Sequence, residues 1–279
     1  MLDATAAAGI DAGAAAESLL AGPWADKDVA ARALKLRGDP RPQVAAAGAA
    51  ACRLLATTGY DTRPGAAHDV ILALAEDEDW ITRETAAVLG GLLLAAHFER
   101  AYAVFEDWAG HPSARVRRAV AVSVRYAGRL RVLAWGPALM HLLRRLLCDA
   151  DPYVRRNLGP FAIGDGMLRY YPCLTLAKLK AWGTYDDEQA RWNVAMAFSA
   201  AQAAHHLPEA LEALTALAGD DRRYVWRAAA AALRSLGRRH PEAVLPLLRS
   251  WASDPRRSRP AGVALRYLAR GPGPVPGPG

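Results

Sequence analysis

The sequence repeats one short pattern five times at intervals of 34 to 38 residues. Each copy starts with an acidic or polar residue, and a few positions later an arginine pair or an arginine–tryptophan pair opens an alanine-rich stretch. The matched positions are Arg83, Arg117, Arg155, Arg191 and Trp226. A period of this length is typical of helical repeats, in which each unit buries its apolar face by stacking on its neighbours. The period therefore constrains the fold more than any single segment does.

Each copy also has the features of a helix start. An Asp or Ser precedes the alanine-rich stretch, where its side chain can accept hydrogen bonds from free backbone amides. Pro152 follows Asp151 at a position where a helix tolerates proline well. A second amphipathic stretch follows most copies and ends before Gly, Asp or Ser, which indicates a helix stop. These stretches cover residues 98–108, 135–147, 173–182, 208–217 and 241–251.

The composition agrees with helices. Apolar residues make up 52% of the 279 residues but aromatic residues only 8%, and alanine dominates the apolar share. Few β-branched or aromatic clusters occur, which argues against a β sandwich or barrel. We therefore predict an all-α protein, an α-solenoid of HEAT-like two-helix repeats with a concave basic groove.

We predict three segments, which differ in how clearly the repeat pattern can be recognised. Residues 1–76 are helical in pattern but degenerate as repeats, and we expect them to cap the solenoid. Residues 77–270 carry the clear repeats and the expected binding and catalytic groups. Residues 271–279 contain only Gly, Pro and one Val, a composition typical of disorder.

The charge is positive and unevenly placed. Lys and Arg total 35 against 28 Asp and Glu, and all but four of the basic residues are arginine. Residues 1–76 carry a net charge of −2, whereas residues 77–279 carry +9. Arginine suits bidentate phosphate contacts and stacking, so this bias favours an extended anionic partner.

Other features bound the location and chemistry. The three cysteines form no pair typical of a disulfide framework, and the first residues lack the features of a signal peptide. No uncharged run is long enough to cross a bilayer. We expect a monomeric cytoplasmic protein, associated with the nucleoid. The seven histidines show no metal-ligand spacing and no phosphate-binding glycine loop is present, so we predict no metal and no cofactor.

The repeated arginines have two interpretations. Equivalent positions of a solenoid share a surface, so they would form a stripe that matches a phosphate backbone. Alternatively, arginine at this position is a packing feature that pairs with a neighbouring Asp. The stripe would comprise Arg83, Arg117, Arg118, Arg155, Arg156, Arg191 and Arg227.

Aromatic residues beside the arginines are equally ambiguous. They suit stacking on sugars and bases, or filling of the core between helices. They are Trp80, Tyr153, Trp192, Tyr224 and Trp226. For Trp108, Trp182 and Trp251, at the ends of second stretches, we predict core packing.

Gly164-Asp165-Gly166 interrupts a stretch that the other repeats keep rich in alanine. The glycines predict a kink or close packing at this point. The alternative is that the break exposes the Asp165 carboxylate toward the basic groove.

The order and spacing of these motifs resemble the HEAT-like-repeat alkylpurine DNA glycosylases, the AlkC and AlkD family. The similarity covers roughly residues 78–268. It depends on the Asp79-Trp-Ile-Thr-Arg-Glu segment, the arginine pairs at 117–118 and 155–156, and Tyr224-Val-Trp-Arg-Ala. The alanine- and arginine-rich composition also resembles that of actinobacterial family members that protect producers of DNA-alkylating antibiotics.

The resemblance implies excision of cationic N7- or N3-alkylated purines from duplex DNA, in base excision repair or self-resistance. It implies that a carboxylate stabilises the sugar cation and positions water. It also implies that tryptophan rings pack on the DNA backbone. The AlkC-like pattern places acids at Asp79 and Asp165. The AlkD-like pattern instead requires an aspartate just after Tyr153, where this chain has Arg155, Arg156 and Asn157.

The expected site therefore has two groups of residues. The expected catalytic residues are Asp165, Asp79 and Trp192. The residues expected to contact DNA are Trp80, Arg83, Arg117, Arg118, Tyr153, Arg155, Arg156, Asn157, Arg191, Trp226 and Arg227. Because the AlkD-like acid is missing, a HEAT module that binds DNA without cleaving it is the first alternative. A protein scaffold, or a HEAT protein similar to phycobilin lyases, is the second.

Overall fold

The computed structural model describes residues 11–269, and every regular element in this range is helical. The chain divides into two compact units, residues 1–130 and residues 131–279. The predicted boundary between residues 76 and 77 does not coincide with this division, because the helices on either side of it pack together in the first unit. Residue 270 and the predicted disordered tail, 271–279, lie outside the described residues.

The first unit consists of paired helices joined by short loops. Its helices are α1 (Ala12–Ala21), α2 (Asp26–Arg37), α3 (Pro42–Leu55), α4 (Pro64–Ala75), α5 (Trp80–Ala96), α6 (Phe98–Trp108) and α7 (Ala114–Gly128). Helices α3, α5 and α7 pack in succession, and α2 and α4 pack against each other beside them. The two clear repeats of this unit begin at α5 and α7, as predicted.

The second unit repeats the arrangement with one irregular segment. Its elements are α8 (Gly136–Arg145), α9 (Pro152–Asn157), a π-helical segment (Leu158–Met167), α10 (Leu168–Tyr170), α11 (Pro172–Trp182), α12 (Glu188–Ala197), α13 (Leu207–Ala218), α14 (Arg223–Gly237), α15 (Pro241–Ser250) and α16 (Ser258–Leu268). The π-helical segment, α12, α14 and α16 pack in succession. The predicted second stretches correspond to α6, α8, α11, α13 and α15.

The fold class is confirmed: the described chain is an all-α array of stacked two-helix repeats. The three tryptophans assigned to the core are buried, with exposed fractions of 7% for Trp108, 2% for Trp182 and 6% for Trp251. Among the helices of residues 11–269, none combines the length and apolar character needed to cross a bilayer.

Side-chain caps begin four of the five predicted helices. Asp79, Ser113, Asp151 and Asp187 each accept a hydrogen bond from a backbone amide in the first turn. The fifth copy differs, because α14 is preceded by Arg222, which makes no side-chain cap bond. The predicted Asp221 cap of α14 is therefore wrong. The loop is held instead by Asp220, which accepts from the Arg222 amide at 2.9 Å.

Candidate nucleic-acid interface

Arginine lies four positions after the helix cap in four of the five copies, and its guanidinium turns back onto the preceding loop. Arg83 donates from Nη1 to the carbonyl oxygens of Asp77 and Glu78, both at 2.8 Å. Arg117 donates in the same way to two loop carbonyls, at 2.9 and 2.8 Å. Because carbonyl groups need partners where the chain turns, this arginine fastens each loop to the helix that follows.

Arg155 and Arg191 make related contacts in the second unit. Arg155 donates to the carbonyl oxygen of Ala150 at 3.3 Å, and Arg191 donates from Nε to that of Gly183 at 3.0 Å. Arg191 also pairs with Asp220, whose side chain is only 2% exposed. The pair with Asp220 matches the packing interpretation, in which the repeated arginine pairs with a neighbouring aspartate. The loop contacts are a second packing role that the sequence did not predict.

Arg118 belongs to a polar network inside the first unit. Its side chain is 9% exposed, and Nη2 donates to Oε2 of Glu84 at 2.5 Å. Tyr126 donates to the other oxygen of Glu84 at 2.7 Å. Burial raises the pKa of Glu84, but the hydrogen bonds from Tyr126 and Arg118 outweigh it and lower the pKa overall. Burial and the same carboxylate raise the pKa of Tyr126 to about 12.

The prediction that Arg118 contacts DNA is therefore wrong. One position beyond Arg117, its side chain is turned about 100° around the helix and enters the interface between α5 and α7. There it pairs with Glu84 instead of facing solvent.

The two candidate carboxylates lie in different units and have different surroundings. Asp79 caps α5, and its Oδ2 accepts hydrogen bonds from Thr82 N at 2.9 Å and Oγ1 at 3.0 Å. These bonds lower the pKa of Asp79 and account for its presence without catalysis. Asp165 is half-buried within the π-helical segment.

Close packing explains Gly164, the glycine that precedes Asp165. A Cβ added at Gly164 would lie 2.3 Å from the carbonyl oxygen of Ala197, and one at Gly159 would lie 2.8 Å from that of Asn193. The two glycines are five residues apart, which is the hydrogen-bonded repeat of a π helix, so both face α12. The structural interpretation of the Gly-Asp-Gly interruption is confirmed for Gly164.

The remaining predicted contacts differ in exposure. Trp80 is 66% exposed in the first unit. In the second unit Arg156 is exposed and forms no hydrogen bond or ion pair with the described residues. Asn157 donates to the carbonyl oxygen of Tyr153 at 2.8 Å, and Trp226 is half-buried.

An aromatic cluster joins three helices of the second unit. The rings of Trp192 and Tyr224 are parallel within 10°, with centroids 5.6 Å apart. The guanidinium of Arg155 lies 5.8 Å from the centre of the first ring and 5.4 Å from the second. The Tyr224 hydroxyl donates to Oε1 of buried Gln189 at 3.0 Å, and burial raises its pKa. The fold thus brings together two predicted site residues, Arg155 and Trp192.

One face of α14 carries a row of four arginines that the sequence reasoning recognised only at Arg227. The row consists of Arg223, Arg227, Arg234 and Arg238, spaced by four, seven and four residues, a spacing that places all of them on one helical face. We call it the α14 arginine row. The 4-7-4 spacing was the sequence signal that could have revealed it.

Tyr267 of α16 lies beneath one end of this row. The guanidinium of Arg234 stacks 3.9 Å from the ring centre, and that of Arg238 lies 4.8 Å from it. Trp192 and Tyr224 flank the other end, beside Arg223 and Arg227. Aromatic rings therefore support both ends of the α14 arginine row.

The positive charge of the chain belongs to the unit that carries this row. Residues 131–279 contain 21 Lys and Arg against 12 Asp and Glu, a net charge of +9. Residues 1–130 contain 14 against 16, a net charge of −2. Helix α14 itself contains no acidic residue. Among the described residues, no group of His, Cys, Asp and Glu is arranged to hold a metal ion.

Comparisons with known proteins concern the fold alone. No family model and no curated protein matches the chain. It is similar to a designed armadillo repeat protein, YIII(Dq)4CqI, with 17% identity, a TM-score of 0.31, and coverage of 71% of this chain and 98% of that one. A second designed armadillo repeat protein, solved with the peptide (KR)4, shows 16% identity, a TM-score of 0.28, and coverage of 85% and 98%. An engineered protein shows 15% identity, a TM-score of 0.30, and coverage of 87% and 99%. TM-scores of this size support no conclusion about a site or an activity.

Proposed function

We propose that the second unit binds the phosphate backbone of duplex DNA through the α14 arginine row. The observation that carries the proposal is a row of three arginines on one face of a helix that has no acidic residue, continued by a fourth, Arg238, at its C-cap. Guanidinium groups bind phosphate bidentately, and a row of them on a helix that carries no carboxylate of its own attracts a polyanion. The loop-fastening arginines contribute less, because much of their donor capacity is used within the fold.

The length of the row suits a nucleic-acid backbone. Arg223 and Arg238 are fifteen residues apart, which corresponds to about 22 Å along a helix. This length covers about six phosphates of one DNA strand at 3.4 Å of axis each. Tyr267 holds two of the guanidinium groups in place, so less side-chain entropy is lost when phosphate binds.

The test is duplex affinity as a function of salt concentration, measured by fluorescence anisotropy with the full chain. Replacing Arg223 and Arg227 together by alanine removes two expected phosphate contacts. The slope of log affinity against log salt should become shallower by about 1.8, since each contact contributes about 0.9.

A matched control removes the same charge from another helix of the second unit. Arg144 and Arg145 are exposed in the last turn of α8, and both become alanine in the control variant. We expect its salt slope to stay close to that of the wild type. Equal losses in the two double variants would mean a general charge effect and refute the α14 interface. Absence of salt-dependent binding in the wild type would favour a protein scaffold.

A second candidate function is excision of N7- or N3-alkylated purines, and one observation favours it. Asp165 lies in a π-helical segment packed against α12, the helix that carries Trp192, and π-helical turns occur frequently at functional sites. In this reaction water adds to the sugar C1′ carbon, the bond to the purine nitrogen breaks with its electron pair going to the base, and the water loses a proton.

Mass spectrometry of bases released from alkylated DNA tests this second function. DNA treated with methylating and with bulky alkylating agents would serve as substrate. We expect release by the wild type and a loss of at least a hundredfold in Asp165→Asn, with duplex affinity retained. Wild-type protein that binds alkylated DNA but releases no modified base would reduce the function to binding.

A further inference from the structure

A groove of about 590 Å³ lies between α12 and α14, next to the α14 arginine row. Its lining consists of Trp192, Met196, Arg223, Tyr224, Arg227, Ala228 and Ala231. No carboxylate is among these residues. We call it the α12–α14 groove.

The groove combines a flat aromatic wall with a small apolar base. The small side chains of Ala228 and Ala231 leave space on the α14 side of the groove, and Met196 contributes a flexible apolar surface. A planar ring could enter such a space and stack on Trp192. Arg223 and Arg227 belong both to this groove and to the arginine row, so an anionic group attached to the ring would meet two guanidiniums.

The aromatic wall is held in position before any ligand arrives. Trp192 stacks in parallel on Tyr224, and the Tyr224 hydroxyl donates to Gln189, which is 7% exposed. Arg155 lies close to both rings. A wall fixed by stacking and hydrogen bonding loses little entropy on binding, which is a property of preorganised sites.

We infer that the α12–α14 groove holds one unstacked nucleotide, with its base against Trp192 and its phosphate on Arg223 and Arg227. The inference rests on the proposed DNA binding and adds a preference to it. A base that remains paired in the helix cannot reach the groove, whereas a bulged or single-stranded base can. The chain should therefore bind DNA with an extrahelical nucleotide more tightly than perfect duplex, by about tenfold for one stacked base.

The experiment compares a perfect duplex with the same duplex carrying one bulged 2-aminopurine. Anisotropy gives the two affinities, and quenching of the 2-aminopurine fluorescence on binding reports stacking of its base. Wild-type protein should prefer the bulged duplex by about tenfold and quench its fluorescence. Trp192→Leu should lose both the preference and the quenching.

Two further variants separate the groove from general effects. Ala231→Leu adds bulk inside the groove while Trp192 is retained, and it should also abolish the preference, even if Trp192→Leu fails to fold. Tyr185→Leu, which removes an exposed aromatic ring of the second unit that does not line the groove, should leave the preference intact.

The outcomes distinguish this inference from the proposed function. Equal wild-type affinity for both DNAs, or a preference that survives in Trp192→Leu and Ala231→Leu, would overturn the groove assignment and leave duplex binding standing. Absence of salt-dependent binding to either DNA would remove the proposed function itself, and the nucleotide site with it.

Discussion

Gly164 should be the glycine of the second unit that least tolerates a side chain. A Cβ at this position would lie 2.3 Å from the carbonyl oxygen of Ala197, whereas real Cβ contacts are essentially never shorter than 3.0 Å. Gly164→Ala must therefore separate the π-helical segment from α12 by about 0.7 Å along a rigid backbone contact. Overpacking of this kind costs about 3 kcal/mol, and the better helix propensity of alanine offsets at most about 1 kcal/mol. We expect a net destabilisation of about 2 kcal/mol.

Urea denaturation of the full chain, followed by tryptophan fluorescence and far-ultraviolet circular dichroism, measures this effect. For an m-value of about 2 kcal/mol/M, the transition of the second unit should move to lower urea by about 1 M. Gly183→Ala is the matched control, because Gly183 has an ordinary φ of −62° and its nearest Cβ contact would be 3.3 Å. It should stay within about 0.5 kcal/mol of the wild type. A Gly164→Ala midpoint equal to that of the wild type would refute the packing argument.

Three carboxylates give further predictions. Glu84→Ala should destabilise the first unit by about 3 kcal/mol in chemical denaturation, because it leaves the buried Arg118 guanidinium without its carboxylate; a loss below about 1 kcal/mol would contradict this role. Asp79→Ala should lower the midpoint of thermal unfolding through the lost cap to Thr82, and Asp79→Ser should restore most of the loss. Burial raises the pKa of Asp220, but the hydrogen bonds that its carboxylate accepts from arginine lower the pKa overall. The ionised carboxylate should therefore stabilise the fold fully above the unfolded pKa of about 3.9. This stabilisation should be lost as the pH falls through the lower folded pKa. Asp220→Asn should therefore destabilise by about 2 kcal/mol at pH 7 and less at pH 3; a difference independent of pH would argue against an ionised Asp220.

The repeated arginines illustrate where sequence reasoning reached its limit. Their common spacing predicted a common structural position, and that prediction is confirmed for Arg83 and Arg117, which make the same pair of loop contacts. The spacing did not reveal whether a guanidinium would face solvent or a carbonyl oxygen. That choice depends on the path of the preceding loop, and both outcomes are compatible with an arginine at the first turn.

For the α14 arginine row, in contrast, the sequence contained the orientation of the side chains but not their stacking partner. Its members lie on one face because of local helical geometry, so their alignment could have been read from the 4-7-4 spacing. Their stacking partner, Tyr267, is 29 residues beyond Arg238 and belongs to another helix. No local pattern connects the two, because their contact arises only when α16 packs on α14.

The sequence by itself determined the helices, their pairing into repeats and the positive sign of the charge. Caps, helix stops and apolar periodicity act within a few residues, so they can be recognised without a fold. Only the tertiary structure decided which groups remain available to a ligand. It buried Arg118 against Glu84 and packed Gly164 against the α12 backbone. The physical reason is that burial and partner choice depend on neighbouring repeats about 35 residues away.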